Sequence, residues 1–226
     1  MATILGIETS GKVCSAAVYS NDELLSAAEV HIPQSHASRL APLIDDLMRH
    51  LGIKFSQLEA IAVSSGPGSY TGLRIGVSLT KGLCYSLGIP LIAVNTLELL
   101  AFQMRNSVDP DSMLCPMIDA RRMEVYCMLT ESTLSAFSPV QALVVNENSF
   151  NDVLANRNMV FFGDGAGKCS SVIKSKRAIF VDGIYPSAVH LGPLADRKFN
   201  HGDFEDLVEF EPSYLKEFFT RKPVSH

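Results

Sequence analysis

The sequence predicts an α/β protein of two related halves, the second reduced, and three observations carry that prediction. A strand–turn–strand opening occurs twice, near residues 3–19 and again near 113–129. An apolar run, Ala60-Ile61-Ala62-Val63, feeds a turn holding Gly66, Gly68, Gly72 and Gly76, and a helix-spaced segment follows. At 226 residues, 47% apolar and 19% charged, the chain can bury a substantial core, with apolar area to spare for a partner. A polar break at residues 105–111 divides it into 1–104 and 105–226.

Taken in order, residues 3–10 read as a strand ending in the polar turn Thr9-Ser10-Gly11. A second strand covers 13–19, and Asn21-Asp22 turns the chain into a third over 23–30. Leu40, Leu43, Ile44, Leu47, Met48 and Leu51 recur at helical spacing, so an amphipathic helix runs from near Ser35 or Ser38 to Gly52. Pro42 fits the first turn of that helix, where its missing N–H costs nothing. Residues 58–63 form the strand before the glycines. Beyond them Leu73, Val77, Thr80, Leu83, Cys84 and Leu87 share one helical stripe, Gly88-Ile89-Pro90 stops the helix, and 91–94 is another strand. In the second half, 113–118 and 124–129 are strands around the turn Asp119-Ala120-Arg121-Arg122. Short strands are expected at 140–145, 159–162 and 179–181, with helices between 148 and 156 and over 185–197. The closing residues 211–215 lead to an irregular end.

A strand feeding a Gly-rich turn that opens a helix brings backbone N–H groups against an anion or against another backbone. The spacing leaves those two readings even. Known phosphate loops do not match: Gly66, Gly68 and Gly72 give G-x-G-x-x-x-G, one residue longer than the dinucleotide fingerprint. The first lysine after this turn is Lys81, too distant for a Walker loop. Gly163-Asp164-Gly165-Ala166-Gly167-Lys168-Cys169 is one residue short of that pattern and ends in cysteine. Neither a G-x-S-x-G elbow nor an H-E-x-x-H zinc motif occurs. On the helix after the turn, Gly72, Gly76 and Thr80 make one row of small residues, and Ser78, Gly82 and Ser86 make another. Glycine in a helix costs about 1 kcal/mol relative to alanine, so such rows serve close packing on a sheet or on a partner helix.

The net charge of −5 gives no global basic character of the kind that nucleic-acid binding requires. Five scattered cysteines (14, 84, 115, 127, 169) include no C-x-x-C, and the economical reading is reduced, mostly buried thiols in a cytoplasmic protein. The start Met-Ala-Thr-Ile-Leu-Gly lacks a basic n-region, so no signal peptide is expected. The longest apolar stretch, 75–94, holds Lys81 and Pro90 and reads as helix then strand, with no membrane span. His31 and His36 lie five apart around Pro33 and do not share a helix face; His190, His201 and His226 stand alone.

Three segments together resemble the TsaB (YeaZ) family: Gly6-Ile7-Glu8-Thr9-Ser10, the run from Ser65 to Gly76, and Ile118-Asp119-Ala120-Arg121-Arg122 followed by Glu124-Val125-Tyr126. Leu87-Gly88-Ile89-Pro90 and Pro212-Ser213-Tyr214-Leu215 extend the resemblance over nearly the whole chain. The resemblance implies two subdomains of the actin-like ATPase, ribonuclease-H-like fold, with mixed sheets flanked by helices and five strands in the first. It implies a bacterial subunit needed to form threonylcarbamoyladenosine beside the tRNA anticodon, a paralogue of the catalytic transferase TsaD. TsaD carries two metal-binding histidines, i and i+4, after the strand that follows Leu-Gly-Ile-Pro; here Thr96 and Leu100 hold those places. Leucine has no lone pair and a lone threonine hydroxyl is a poor ligand, so no catalytic residue and no metal are expected.

The expected partners are TsaD and TsaE, with tRNA met only through the complex and a homodimer left open for the chain alone. The resemblance puts the TsaD interface on the two helices of the first half, at Ser35, Arg39, Leu43, Leu47, Tyr70, Leu73, Arg74, Val77, Ser78, Lys81, Gly82 and Tyr85. A vestigial nucleotide site would comprise Glu8, Thr9, Ser10, Gly66, Gly68, Asp119, Gly163 and Gly165. No cofactor is expected in the chain itself, and ATP or ADP at the interface with TsaD is left open. Glu8 and Asp119 stand where superfamily ATPases put Mg-associated carboxylates, which keeps a weak ATPase or phosphotransferase as the alternative; turn capping explains them equally well. A metalloprotease, the family's old glycoprotease label, lacks its zinc motif. The nearest thing to a basic patch is Lys168, Lys174, Lys176 and Arg177 with the tail residues Lys216, Arg221 and Lys222.

Overall fold

A computed structural model describes residues 2–32, 34–135 and 137–215, so Pro33, Lys216, Glu217, Arg221, Lys222 and His226 lie outside the described residues. The first sheet opens as an antiparallel meander of β1 (Thr3–Glu8), β2 (Cys14–Ser20) and β3 (Glu23–Val30). Asn21 and Asp22 turn the β2–β3 hairpin with positive φ, which suits their short polar side chains. The chain then crosses through α1 (His36–Leu51) to β4 (Ala60–Gly66), parallel to β1, and through α2 (Tyr70–Leu87) to β5 (Leu91–Asn95), parallel to β4. The strand order is β3-β2-β1-β4-β5. Strands β1 and β4 are apolar and almost wholly buried because helices cover both faces of the sheet.

The helix α1 buries the stripe Leu40, Ile44, Leu47 and Met48 that its periodicity marks. Ser35 is its N-cap residue, and Gly52 at φ +66° closes it with its N–H on the Arg49 carbonyl. Pro42 sits in the second turn, on the exposed side, one turn deeper than its sequence suggests. It removes one helical bond to the Ser38 carbonyl, and the buried stripe of α1 outweighs that loss.

The second half repeats this connectivity in shortened form. Its elements are β6 (Met113–Asp119), β7 (Glu124–Cys127), β8 (Thr130–Glu131), β9 (Gln141–Val144), α4 (Asn151–Leu154), β10 (Met159–Phe162), α5 (Ala166–Cys169) and β11 (Ala178–Val181). The order β9-β7-β6-β10-β11 mirrors the first sheet, with β6 antiparallel to β7 and parallel to β10, and β8 added beside β6. Here α5 stands where the first half has α2, cut to four residues.

Two helices depart from the sequence reading. The helix α3 (Thr96–Met104) went unassigned because it is buried nearly all round and shows no amphipathic period. Its Leu97, Leu100, Ala101 and Met104 pack with Leu114, Ile118, Val160 and Phe162, so a segment before the expected boundary fills the second sheet's core. Conversely α6 (Leu191–His201), a few residues later than expected, returns to the first sheet. Its Leu191 and Ala195 close the face formed by Ile4, Ala17, Ala62, Ile92 and Val94. Each of these two helices therefore packs on the sheet of the other half.

Candidate functional site: the glycine turns and the outer face of the second helix

The Gly66–Gly76 segment meets the polar turn after β1. A Cβ on Gly68 would lie 2.6 Å from the Ser10 carbonyl oxygen, and one on Gly72 would lie 2.1 Å from that of Thr9. Ser69 donates its N–H to the Ser10 carbonyl at 2.7 Å, and its hydroxyl accepts from the Gly72 N–H at the start of α2. Gly66, at φ +107°, faces the Ser213 carbonyl. Close approach to another backbone, one of the two readings of the sequence, is thus present at these glycines. The second half does the same: Gly163 and Gly165 press on the backbone of Met117 and Ile118, next to Asp119.

Glu8 is fully buried. One carboxylate oxygen accepts from the Ser10 N–H and hydroxyl, and the other from the Ser64 hydroxyl. Burial raises its pKa to about 7, against the opposing pull of the Ser10 and Gly11 hydrogen bonds. Thr9 beside it is equally buried, and its hydroxyl has no partner among the described residues. Asp119 is exposed and belongs to a different network: it pairs with Lys168, accepts from the Arg121 N–H, and donates its own N–H to Asp164. Glu8 and Asp119 share no hydrogen-bond partner among the described residues. Burial raises the Asp164 carboxyl above its usual range, with Lys12 and Lys168 opposing.

Thr96 and Leu100 are both wholly buried on α3. Leu100 packs with Ile118, Val160 and Phe162, and the Thr96 hydroxyl lacks a partner among the described residues. No cluster of three His, Cys, Asp or Glu with metal-binding geometry exists among the described residues. His31 reaches Glu29 at 3.2 Å, while His36 is buried at the start of α1.

The outer face of α2 is the other candidate surface. Arg74, Ser78, Gly82 and Tyr85 are exposed and Tyr70 and Lys81 half-buried, while on α1 Arg39 is exposed and Leu43 half-buried. Among the described residues a Cβ on Gly82 would meet nothing within 4 Å, so its row is open there, unlike Gly72 and Gly76, which pack on Thr9. Leu47, Leu73 and Val77 are buried in the first half's own core and support these faces from beneath. Ser35 is also buried, its hydroxyl donating to the Ile32 carbonyl.

A C-terminal strap, residues 203–215, runs beside α2, bonded to β5 and to the end of β4. Glu205 bonds the Leu91 carbonyl and Ser213 the Ser65 carbonyl. Lys81 donates to the carbonyls of Val208 and Phe210 at 3.2 and 3.0 Å. At its end the Tyr214 ring lies 4.9 Å from that of Tyr70, with Arg74 stacked over Tyr70 and donating to the Tyr214 hydroxyl. A depression of about 450 Å³ opens beside Tyr70, Arg74, Ile75 and Ser78. Sequence reasoning missed the strap; its one signal was the Pro212–Leu215 segment. No described helix is long and apolar enough to cross a membrane.

Fold and turns together define a protein of two ribonuclease-H-like halves whose glycine turns are filled by its own backbone. The chain matches the family model described as TsaD, tRNA N6-adenosine threonylcarbamoyltransferase, over residues 26–181. It is 28% identical to the tRNA threonylcarbamoyladenosine biosynthesis protein TsaB of Haemophilus influenzae, over 98% of this chain and 97% of that one. It is 39% identical to the Bacillus subtilis protein of the same name, over 55% of this chain and 53% of that one. A solved structure, YeaZ from Pseudomonas aeruginosa, superposes with a TM-score of 0.83 at 28% identity, over 95% of this chain and all of that one. The chain belongs to the TsaD family, in its TsaB (YeaZ) group.

Proposed function

We propose that the chain is a non-catalytic subunit in tRNA threonylcarbamoyladenosine formation, binding and organising TsaD together with TsaE. The observation that carries this reading is the filling of the paralogue's metal position: Thr96 and Leu100 sit in apolar core where TsaD has histidines. A ligand pair turned into packing supports a scaffold and offers no Lewis acid. The outer faces of α1 and α2, with their open small-residue row, are the surface for TsaD, and the same surface would serve a homodimer when TsaD is absent. No cofactor belongs to the chain alone; nucleotide at the TsaD interface is a matter for the assembled complex. Five buried, unbridged cysteines suit the cytoplasm. With its net charge of −5, the chain meets tRNA only within that complex.

The test is reconstitution. TsaD and TsaE with their activated substrate and tRNA should form threonylcarbamoyladenosine only when this chain is added, and the chain alone should form none. Product formation by the chain alone, or equal activity without it, overturns the proposal. ATP turnover by the isolated chain, abolished in Glu8→Ala, would favour the ATPase alternative.

A further inference from the structure

The hairpin between β6 and β7 holds two consecutive arginines in the left-handed region, Arg121 at φ +69° and Arg122 at φ +45°. Long side chains adopt that conformation at a cost, whereas the β2–β3 hairpin gives it to Asn21 and Asp22, which tolerate it. The arginine hairpin is braced from behind. Lys168 pairs with Asp119, donates to the Glu124 carbonyl at 2.6 Å and reaches the Arg121 carbonyl at 3.5 Å. Asp119 accepts the Arg121 N–H at 2.9 Å. The carboxylate at the hairpin's base is thereby engaged inward, and Asp164 accepts from the Asp119 N–H. Both arginines are exposed, and neither guanidinium makes an ion pair or hydrogen bond among the described residues.

A rigid turn that projects two adjacent, unengaged guanidiniums fits a polyanionic backbone, because each fork can bind a phosphate through two hydrogen bonds. We propose that the Arg121–Arg122 hairpin is a contact for the phosphate backbone of RNA, made while the chain sits in the transferase complex. This rests on the function proposed above, which brings a tRNA to the complex. The contact is an increment to binding, since no broad basic face surrounds it. Lys168 is its positioning residue, holding the turn and neutralising Asp119.

The test uses the reconstituted complex carrying Arg121→Ala/Arg122→Ala or Arg121→Lys/Arg122→Lys, with complex assembly checked by size-exclusion chromatography. In the alanine pair, KM for tRNA should rise several-fold at near-physiological salt while kcat and KM for the activated substrate hold. The slope of log KM against log salt should fall by about 1 to 2. The lysine pair should keep most of that slope. An unchanged tRNA KM and salt slope in an intact alanine complex overturns this proposal alone, as does a rise in the KM for the activated substrate in place of that for tRNA. A complex equally active without the chain overturns the function proposed above as well.

Discussion

Gly72 lies against Thr9 so closely that a methyl group on it would stand 2.1 Å from the Thr9 carbonyl oxygen. Helix α2 thus docks on the end of β1 backbone to backbone, and Gly76 one turn on docks against the Thr9 side chain. Alanine at Gly72 should cost about 2–4 kcal/mol, since a backbone atom must yield. Gly76→Ala should cost less, because the atom it strikes is the Thr9 side-chain hydroxyl and not backbone. Gly82→Ala, with open space around it among the described residues, should raise stability by up to about 1 kcal/mol through helix propensity. Urea unfolding of the three variants checks the order; equal effects at Gly72 and Gly82 would refute it.

Glu8 sets a pH dependence of stability. Its folded pKa of about 7 lies above the ordinary 4.5, so the folded state holds the extra proton between those values. Stability from this group is full below about pH 4.5 and is lost as pH rises through 7, a change on the order of 3 kcal/mol. Glu8→Gln keeps the shape, accepts from Ser10 and donates to Ser64. It should flatten the melting temperature between pH 5 and 8 and exceed the wild type at pH 8. An unaltered pH slope in Glu8→Gln would remove Glu8 as its source.

The open row on α2 gives a steric test of the partner surface. Gly82→Leu should fold normally, since nothing among the described residues lies within 4 Å of a Cβ at this position. It should weaken TsaD binding at least ten-fold, measured by calorimetry. Undiminished affinity in a folded variant would exclude this face.

Thr96 buries a hydroxyl with no partner among the described residues. Thr96→Val removes an unsatisfied polar group at nearly constant shape, so stability should hold or rise by about 1 kcal/mol. Metal analysis of untagged protein should find no stoichiometric zinc or iron. A loss of stability in Thr96→Val together with bound metal would restore a ligand role to this position.

Much of the fold was legible because it rests on local pattern. The stripe of α1, the β4–glycine–α2 sequence and the repeated hairpin each carry their own period or turn chemistry. What stayed hidden was long-range. The helix α3 is buried nearly all round, and α6 joins the first sheet through contacts with residues far away in sequence, such as Ile4, Ala62 and Ile92. For the candidate site, the glycine spacing marked a tight approach but not what approaches: Thr9, Ser10 and Ser213 supply that backbone, and no local signal announces them. Burial likewise separates Arg74, Ser78 and Gly82 from Leu73 and Val77, which the sequence placed on one interface.

The return of α6 and the strap to the first sheet has a consequence for synthesis. A ribosome releases the chain from its N-terminus, and β1, β4 and β5 emerge long before Leu191 and Ala195, which cover their second face. Until then Ile4, Ala62, Ile92 and Val94 form an apolar surface open to water or to a chaperone. The first half is thus made first but finished last, and a chain stopped before residue 191 would present that surface permanently.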